Sequence, residues 1–282
     1  MKINYFIVIT LICIIQSCAK ENSCTPCNVT FKGNLDISSK AYSYLRSDVK
    51  VSILTFQNLN GTPYNFTPHT YLTSIGFGSF TTTKTVALAT GFYNFFSISY
   101  NNQYTPNINF NNNLLATPYN GKEYIWSSRR NVLITNNRVV TLVYKHISTK
   151  INIEVNAPTS FENLVVKYIK FSLPDCSNSS IDLKAGEITS ATSVLPPSLL
   201  PGRGNSRTFV TIPCSAPKKI EVSIDATIAG ELIRNKVYSS TISTPFNGGV
   251  FYTINLAIED MVTSSLTISC KEWSCAQNNI PY

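Results

Sequence analysis

The chain has 282 residues, 43% of them hydrophobic and 13% charged, with 23 Lys and Arg against 15 Asp and Glu. That length gives one or two domains with a real core, and 15 Phe with 15 Tyr exclude a wholly disordered chain. The +8 excess is spread along the sequence, which argues against a nucleic-acid footprint, and 2 His leave little material for His-based catalysis or a metal site.

Met1-Lys2 followed by the apolar run Ile3–Ile15 reads as a signal peptide, too short to span a bilayer comfortably. It closes on Ile15-Gln16-Ser17-Cys18, which resembles the lipobox of bacterial lipoproteins. That resemblance implies removal of residues 1–17, acylation of Cys18 and anchoring to the outer membrane at the cell surface. The alternative is an ordinary signal peptide, with Cys18 a disulfide partner. Residues 18–28 are polar and read as a tether.

Of the 8 Cys, Cys13 leaves with the signal and Cys18 takes the lipid. The remaining Cys24, Cys27, Cys176, Cys214, Cys270 and Cys275 are an even set in an exported chain, which favours disulfides. Proximity suggests Cys24–Cys27, Cys176–Cys214 and Cys270–Cys275, with other connectivities open. Cys24-Thr25-Pro26-Cys27 as a redox or metal pair is the weaker reading, because no second such pair stands at zinc spacing.

Period-two alternation then recurs along the chain. It predicts strands over Val49–Phe56, Phe92–Tyr100, Val139–Ile147, Ile151–Val155, Ile220–Ile224 and Val250–Ile258, with a less regular one through Val262–Ile268. Turn signals separate them at Asn60-Gly61, Asn120-Gly121, Asn136-Asn137, Pro201-Gly202 and Asn247-Gly248-Gly249. A minor helical segment is expected near Asn112–Leu115. The spacing predicts an all-β chain of two sandwiches, divided at Asn156-Ala157-Pro158 into domains 29–156 and 157–282. The stretches Asn101–Tyr119 and Leu183–Arg207 read as loops, the second long enough to be functional or mobile.

No string for a nucleophile elbow, a zinc protease or a P-loop occurs. His146 lies within a strand pattern and His69 in a loop pattern. The carboxylates Asp175, Asp182, Glu187 and Asp225 cannot be paired from sequence, and Glu259-Asp260 is more simply a solvated turn than a Ca²⁺ site. An enzyme is therefore not expected, nor a metal or cofactor. Trp126 and Trp273 offer a sugar-stacking platform, against the simpler reading that aromatics fill sandwich cores. Arg129-Arg130 and Arg46 are basic points on expected loops, serving solubility or proteolytic processing.

Glu123-Tyr124-Ile125-Trp126-Ser127-Ser128 followed by Val139–Val155 resembles the fimbrillin-type, type V pilin superfamily of Bacteroidales. There an aromatic segment precedes alternating apolar residues, a His, and a Ser-Lys-Ile element, matched here by His146, Ser148, Lys150 and Ile151 with Thr149 inserted. The Val29–Leu35 opening and the close on Lys271-Glu272-Trp273 are also similar. The resemblance implies two transthyretin-like sandwiches and a fimbrial subunit acting as accessory, tip or anchor protein. It also implies adhesion to a host or glycan ligand, and assembly with other subunits by strand exchange after an Arg-specific protease removes the first strand. Arg46, between Val29–Leu35 and Val49–Phe56, is the candidate cleavage site. The competing expectation is a non-polymerising surface glycan-binding lipoprotein using Trp126 and neighbouring Tyr.

Overall fold

The computed structural model describes residues 26–35, 43–45, 47–59, 62–76, 79–82 and 86–273. Cys18, Cys24, Arg46 and Cys275 lie outside these residues. The chain is all-β: among the described residues there is no α-helix, only a 3₁₀ turn at Cys176–Asn178.

The first half supplies β1 (Cys27–Leu35), β2 (Ser43–Tyr44), β3 (Lys50–Leu59), β4 (Thr62–Gly76) and β5 (Ser79–Thr82). It continues with β6 (Val86–Leu88), β7 (Gly91–Ser99), β8 (Leu115–Ala116), β9 (Ile125–Ile134) and β10 (Arg138–His146). Nine of these form one sheet in the order β10-β9-β7-β3-β4-β5-β1-β2, with β6 on β1. Because β1 also pairs with β10, the sheet folds back on itself. The wall β9-β7-β3 thus faces the wall β10-β1. Between them Val51, Ile53, Phe95 and Ile134 pack against Val29, Phe31, Leu142 and Tyr144.

The second half supplies β11 (Thr149–Asn156), β12 (Phe161–Phe171), β13 (Ile181–Asp182), β14 (Glu187–Ile188) and β15 (Ser198–Leu199). After these come β16 (Ser206–Thr211), β17 (Lys218–Ile228), β18 (Glu231–Ile242), β19 (Val250–Ile258) and β20 (Ser264–Glu272). Two four-stranded sheets, β16-β11-β19-β20 and β15-β12-β17-β18, stack as a sandwich. Ile151, Ile153 and Val155 with Tyr252, Ile254 and Leu256 fill it from one sheet, Ile169, Ile220, Val222 and Ile224 from the other. Alternation drives this arrangement: β19 buries Tyr252, Ile254, Leu256 and Ile258, as its sequence pattern predicts.

Several expectations are corrected. The strand Thr149–Asn156 does not end the first domain; it pairs with β16 and β19 and belongs to the second. Ile147-Ser148 separates β10 from β11, and the Pro158 break is a turn between β11 and β12, Phe161 N donating to Pro158 O. Cys27 and Asn28 are not tether, since the alternation of β1 begins with the buried Cys27. The helical segment near Asn112 is an Asn-capped turn: Asn111 Oδ1 accepts from Asn113 N at 2.9 Å and Leu115 N at 3.0 Å, and Leu114 takes a left-handed φ of 64°. His69 lies in β4, not in a loop.

The Leu183–Arg207 stretch is not a free loop either. β13 pairs with β8, Leu183 N donates to Leu114 O at 3.0 Å, and Trp126 Nε1 donates to Leu183 O at 2.7 Å. A third apolar cluster, including Phe96, Ile98, Tyr124 and Trp126 with Ile181, Ile188, Ile212 and Cys214, joins the two halves. Asn120 reinforces it, donating to Pro174 O at 2.8 Å and accepting from Thr211 Oγ1 at 2.6 Å.

Candidate functional site: the first strand and the junction

β1 is a strand built to fill a core. Its burial alternates without a break, Cys27, Val29, Phe31, Gly33 and Leu35 pointing inward and Asn28, Thr30 and Lys32 outward. On one flank it runs parallel to β10, from Val29 opposite Arg138 to Leu35 opposite Tyr144. On the other it pairs antiparallel with β6, with β5 at Lys32–Ser79, and with β2. Phe31 meets the edge of Phe95 at 5.3 Å between ring centroids. Gly33 has a steric reason: a Cβ there would lie 2.3 Å from the Phe80 ring and 2.8 Å from Leu45.

β2 pairs with β1 and, among the described residues, with no other strand. The chain between β2 and β3 carries the exposed turn Ser47-Asp48, Asp48 holding a left-handed φ of 67°. Arg46 itself is not among the described residues, and its cleavage remains an expectation.

The three motif residues His146, Lys150 and Trp273 meet at the junction of the two halves. His146 ends β10, Lys150 is the second residue of β11, and Trp273 follows β20, its backbone N–H donating to Gly249 O at 2.8 Å. The imidazole stacks on the indole at 4.1 Å with an interplanar angle of 6°, and Lys150 Nζ sits 5.5 Å from the Trp273 ring centroid. Glu123 Oε1 lies 3.5 Å from His146 Nδ1 and accepts from Asn101 Nδ2 at 2.5 Å. Burial, helped by the Lys150 charge, pushes the imidazole down to about 3. The ring is therefore neutral at pH 7, and the Glu123 contact is not an ion pair there.

Beside the stack is a cavity of about 520 Å³ bordered by Lys145, His146, Glu187, Gly248, Glu272 and Trp273. The stack and the Lys150 contact tie the end of β10, the start of β11 and the residue after β20 together as a clasp. Three of the acids weighed as a pair accept from backbone N–H groups, Asp175 Oδ1 from Ser177 N, Asp182 Oδ1 from Lys184 N and Asp225 Oδ1 from Asn235 N, and in the Glu259-Asp260 turn Asp260 Oδ1 accepts from Val262 N and Thr263 N.

Both tryptophans are removed from the sugar-platform reading. Trp273 is 6% exposed and Trp126 9%, the latter under Gly186, where a Cβ would come within 2.3 Å of the indole. Of the expected bridges, Cys176–Cys214 is not formed, both residues being free thiols, whereas Cys24 and Cys275, the partners in the other two, lie outside the described residues. Cys214 and Cys176 border the same cluster. Cys214 Sγ faces Ala216 O at 3.8 Å, and Cys176 Sγ faces Pro174 O at 3.9 Å, each directed to its own local carbonyl. Cys27 is buried in the first core and Cys270 is exposed on β20.

One polar group escaped the sequence reading. Lys218 is 0% exposed, its Nζ donating to Ala216 O and Thr244 O at 2.8 Å each and lying 4.2 Å from the Phe246 ring centroid. Burial lowers its pKa. Its position at the start of a strand, among Pro, Ser and Lys, gives no sequence signal of burial.

A family described as fimbrillin-like matches residues 64–273 of this chain. No curated protein matches it. Among solved structures it is similar to a candidate cell adhesion protein from Bacteroides uniformis, with a TM-score of 0.61 at 15% identity over 88% of this chain and 98% of that one. A second, from Bacteroides ovatus, gives 0.59 at 15% identity over 88% and 98%. The tip fimbrial protein Mfa3 of Porphyromonas gingivalis, C-terminally truncated, gives 0.50 at 13% identity over 87% and 100%. These likenesses concern the fold.

Proposed function

This chain belongs to the fimbrillin-like family, and we propose that it is a cell-surface fimbrial subunit in which β1 is a removable plug. The observation that carries this is the two-sided seating of β1. Its inward residues complete the first core, yet a single cut between β2 and β3 frees the whole hairpin. Loss of that hairpin leaves an apolar groove with β10 on one bank and β5 and β6 on the other, which favours capture of an extended strand from another subunit.

In this reading Cys18 carries the lipid that delivers the chain to the outer surface, and Arg46 is where the protease cuts. The protein works by assembly and adhesion instead of catalysis. Its partners are other fimbrial subunits and the outer membrane through lipid. The tip and adhesion descriptions of the similar structures support an accessory or terminal position.

The test is the N-terminus and intact mass of the protein on the cell surface. A chain starting at Ser47 within detergent-resistant ladders supports strand exchange through the β1 groove. A chain that keeps lipidated Cys18 and β1, with no ladder, overturns it and leaves only an anchoring role.

A further inference from the structure

Arg129 and Arg130 are not on a loop but on β9, at the point where that strand departs from its own pattern. β9 pairs with β7 at Tyr93–Val132 and again at Phe95–Arg129, so Arg130 and Asn131 together oppose Asn94 alone. This is a β-bulge. Asn131 adopts a left-handed φ of 54°, and its N–H donates to Asn94 Oδ1 at 2.9 Å. Inward-outward alternation is suspended, and Arg129, Arg130 and Asn131 are exposed in succession. Bulges re-aim side chains at the rims of sheets, and a left-handed non-glycine residue is a local cost that the fold retains here.

The bulge borders a cavity of about 510 Å³ between β9 and β10. These strands pair only at their base, Trp126 with Lys145 and Ile125 with His146, and part above it. At the top Arg138 Nη1 donates to Leu133 O at 2.7 Å, so the slot is bounded at both ends. Arg129, Arg130 and Arg138 line it, with no carboxylate. Two of the three guanidiniums are held in place: Arg138 by Leu133 O, and Arg130 by its bond to Lys184 O and its position 5.5 Å from the Phe96 ring centroid. The walls also present strand backbone without pairing across the gap.

We propose that this slot binds an acidic polysaccharide. The guanidinium forks take its sulfate or carboxylate groups, and the backbone edges take its hydroxyls. The lining favours that class over others. No aromatic ring borders the slot to stack nucleobases, and the closed ends stop a peptide strand from running through. The inference deepens the adhesive role of the proposed subunit, and its assay on the isolated chain is independent of whether that chain polymerises.

The experiment is titration calorimetry of the isolated protein with heparin as probe, beside neutral dextran and single-stranded DNA. Salt-sensitive binding to heparin is expected, at least about tenfold stronger than to either comparator. Arg129→Gln/Arg138→Gln is expected to weaken it about tenfold or more, each lost charge-assisted contact being worth that order. The melting temperature of that variant reports whether its fold is intact. Lys219→Gln/Lys236→Gln removes equal charge from the other domain and is expected to leave binding unchanged. No heparin binding, equal binding to DNA, or equal losses in the two double variants overturns the proposal.

Discussion

Deleting the hairpin that contains β1 is the sharpest perturbation of this fold. Val29, Phe31, Leu35 and Leu45 are 0, 3, 3 and 1% exposed, and all four leave the first core in a chain that starts at Ser47. At about 1.5–3 kcal/mol for each buried side chain, the loss is about 6–12 kcal/mol before the ladder to β10 is counted. A whole domain is typically stable by about 5–15 kcal/mol. The truncated first half is therefore expected to unfold or to take up a foreign strand. Urea unfolding and amide exchange of β10 measure this, with and without a peptide of residues 27–35 added in trans. The peptide is expected to restore protection of β10, and a Phe31→Asp version is not. A truncated monomer that melts within a few degrees of the full chain, with β10 still protected, would refute the argument.

Other outcomes follow from the junction. Trp273→Ala removes the ring stacked on His146 and leaves a hole between the halves; it should cost about 3–5 kcal/mol by urea denaturation. Gly186→Ala forces a Cβ into Trp126 at a left-handed φ of 69° and should cost about 2–4 kcal/mol, read the same way. The unfolded chain protonates His146 near pH 6.5, whereas the folded chain resists until about 3. Stability held above pH 6.5 is thus lost as pH falls through that window, with a slope of about 1.4 kcal/mol per pH unit from this group. His146→Phe should flatten that part of the profile, and parallel slopes in the two proteins would show that His146 is not responsible. Maleimide should label Cys270 in the native protein, and Cys27 and Cys214 only after unfolding.

Strands were legible wherever one face meets a core, as in Val250–Ile258, because a two-residue period leaves a direct trace in composition. The resemblance also singled out His146, Lys150 and Trp273, and the structure brings them into one contact. What the sequence did not disclose depends on pairing between distant segments. Lys150-Ile151-Asn152-Ile153 reads identically whether it closes one sandwich or opens the next, and only its pairing with β16 and β19 decides. The loop-like composition of Leu183–Arg207 hid a docked segment, since its backbone bonds are scattered over Leu114, Trp126, a two-residue pairing of β15 with β12 and the start of β16 on β11. The bulge at Arg130-Asn131 was invisible for the same reason: the irregularity lies in the register against Asn94, not in the residues themselves.

The clasp at the junction also sets an order in time. His146 closes the first half of the chain, whereas its stacking partner Trp273 comes after the last strand. A polypeptide threaded out of a cell from its N-terminus can complete neither the His146 stack nor the β11–β19 pairing until nearly all of it has emerged. Until then the two halves meet through the middle cluster, the β8–β13 pairing and the Asn120 bonds. Closing the clasp between the two halves thus comes last in folding of the chain, and a chain shortened before Trp273 would keep its halves unlatched.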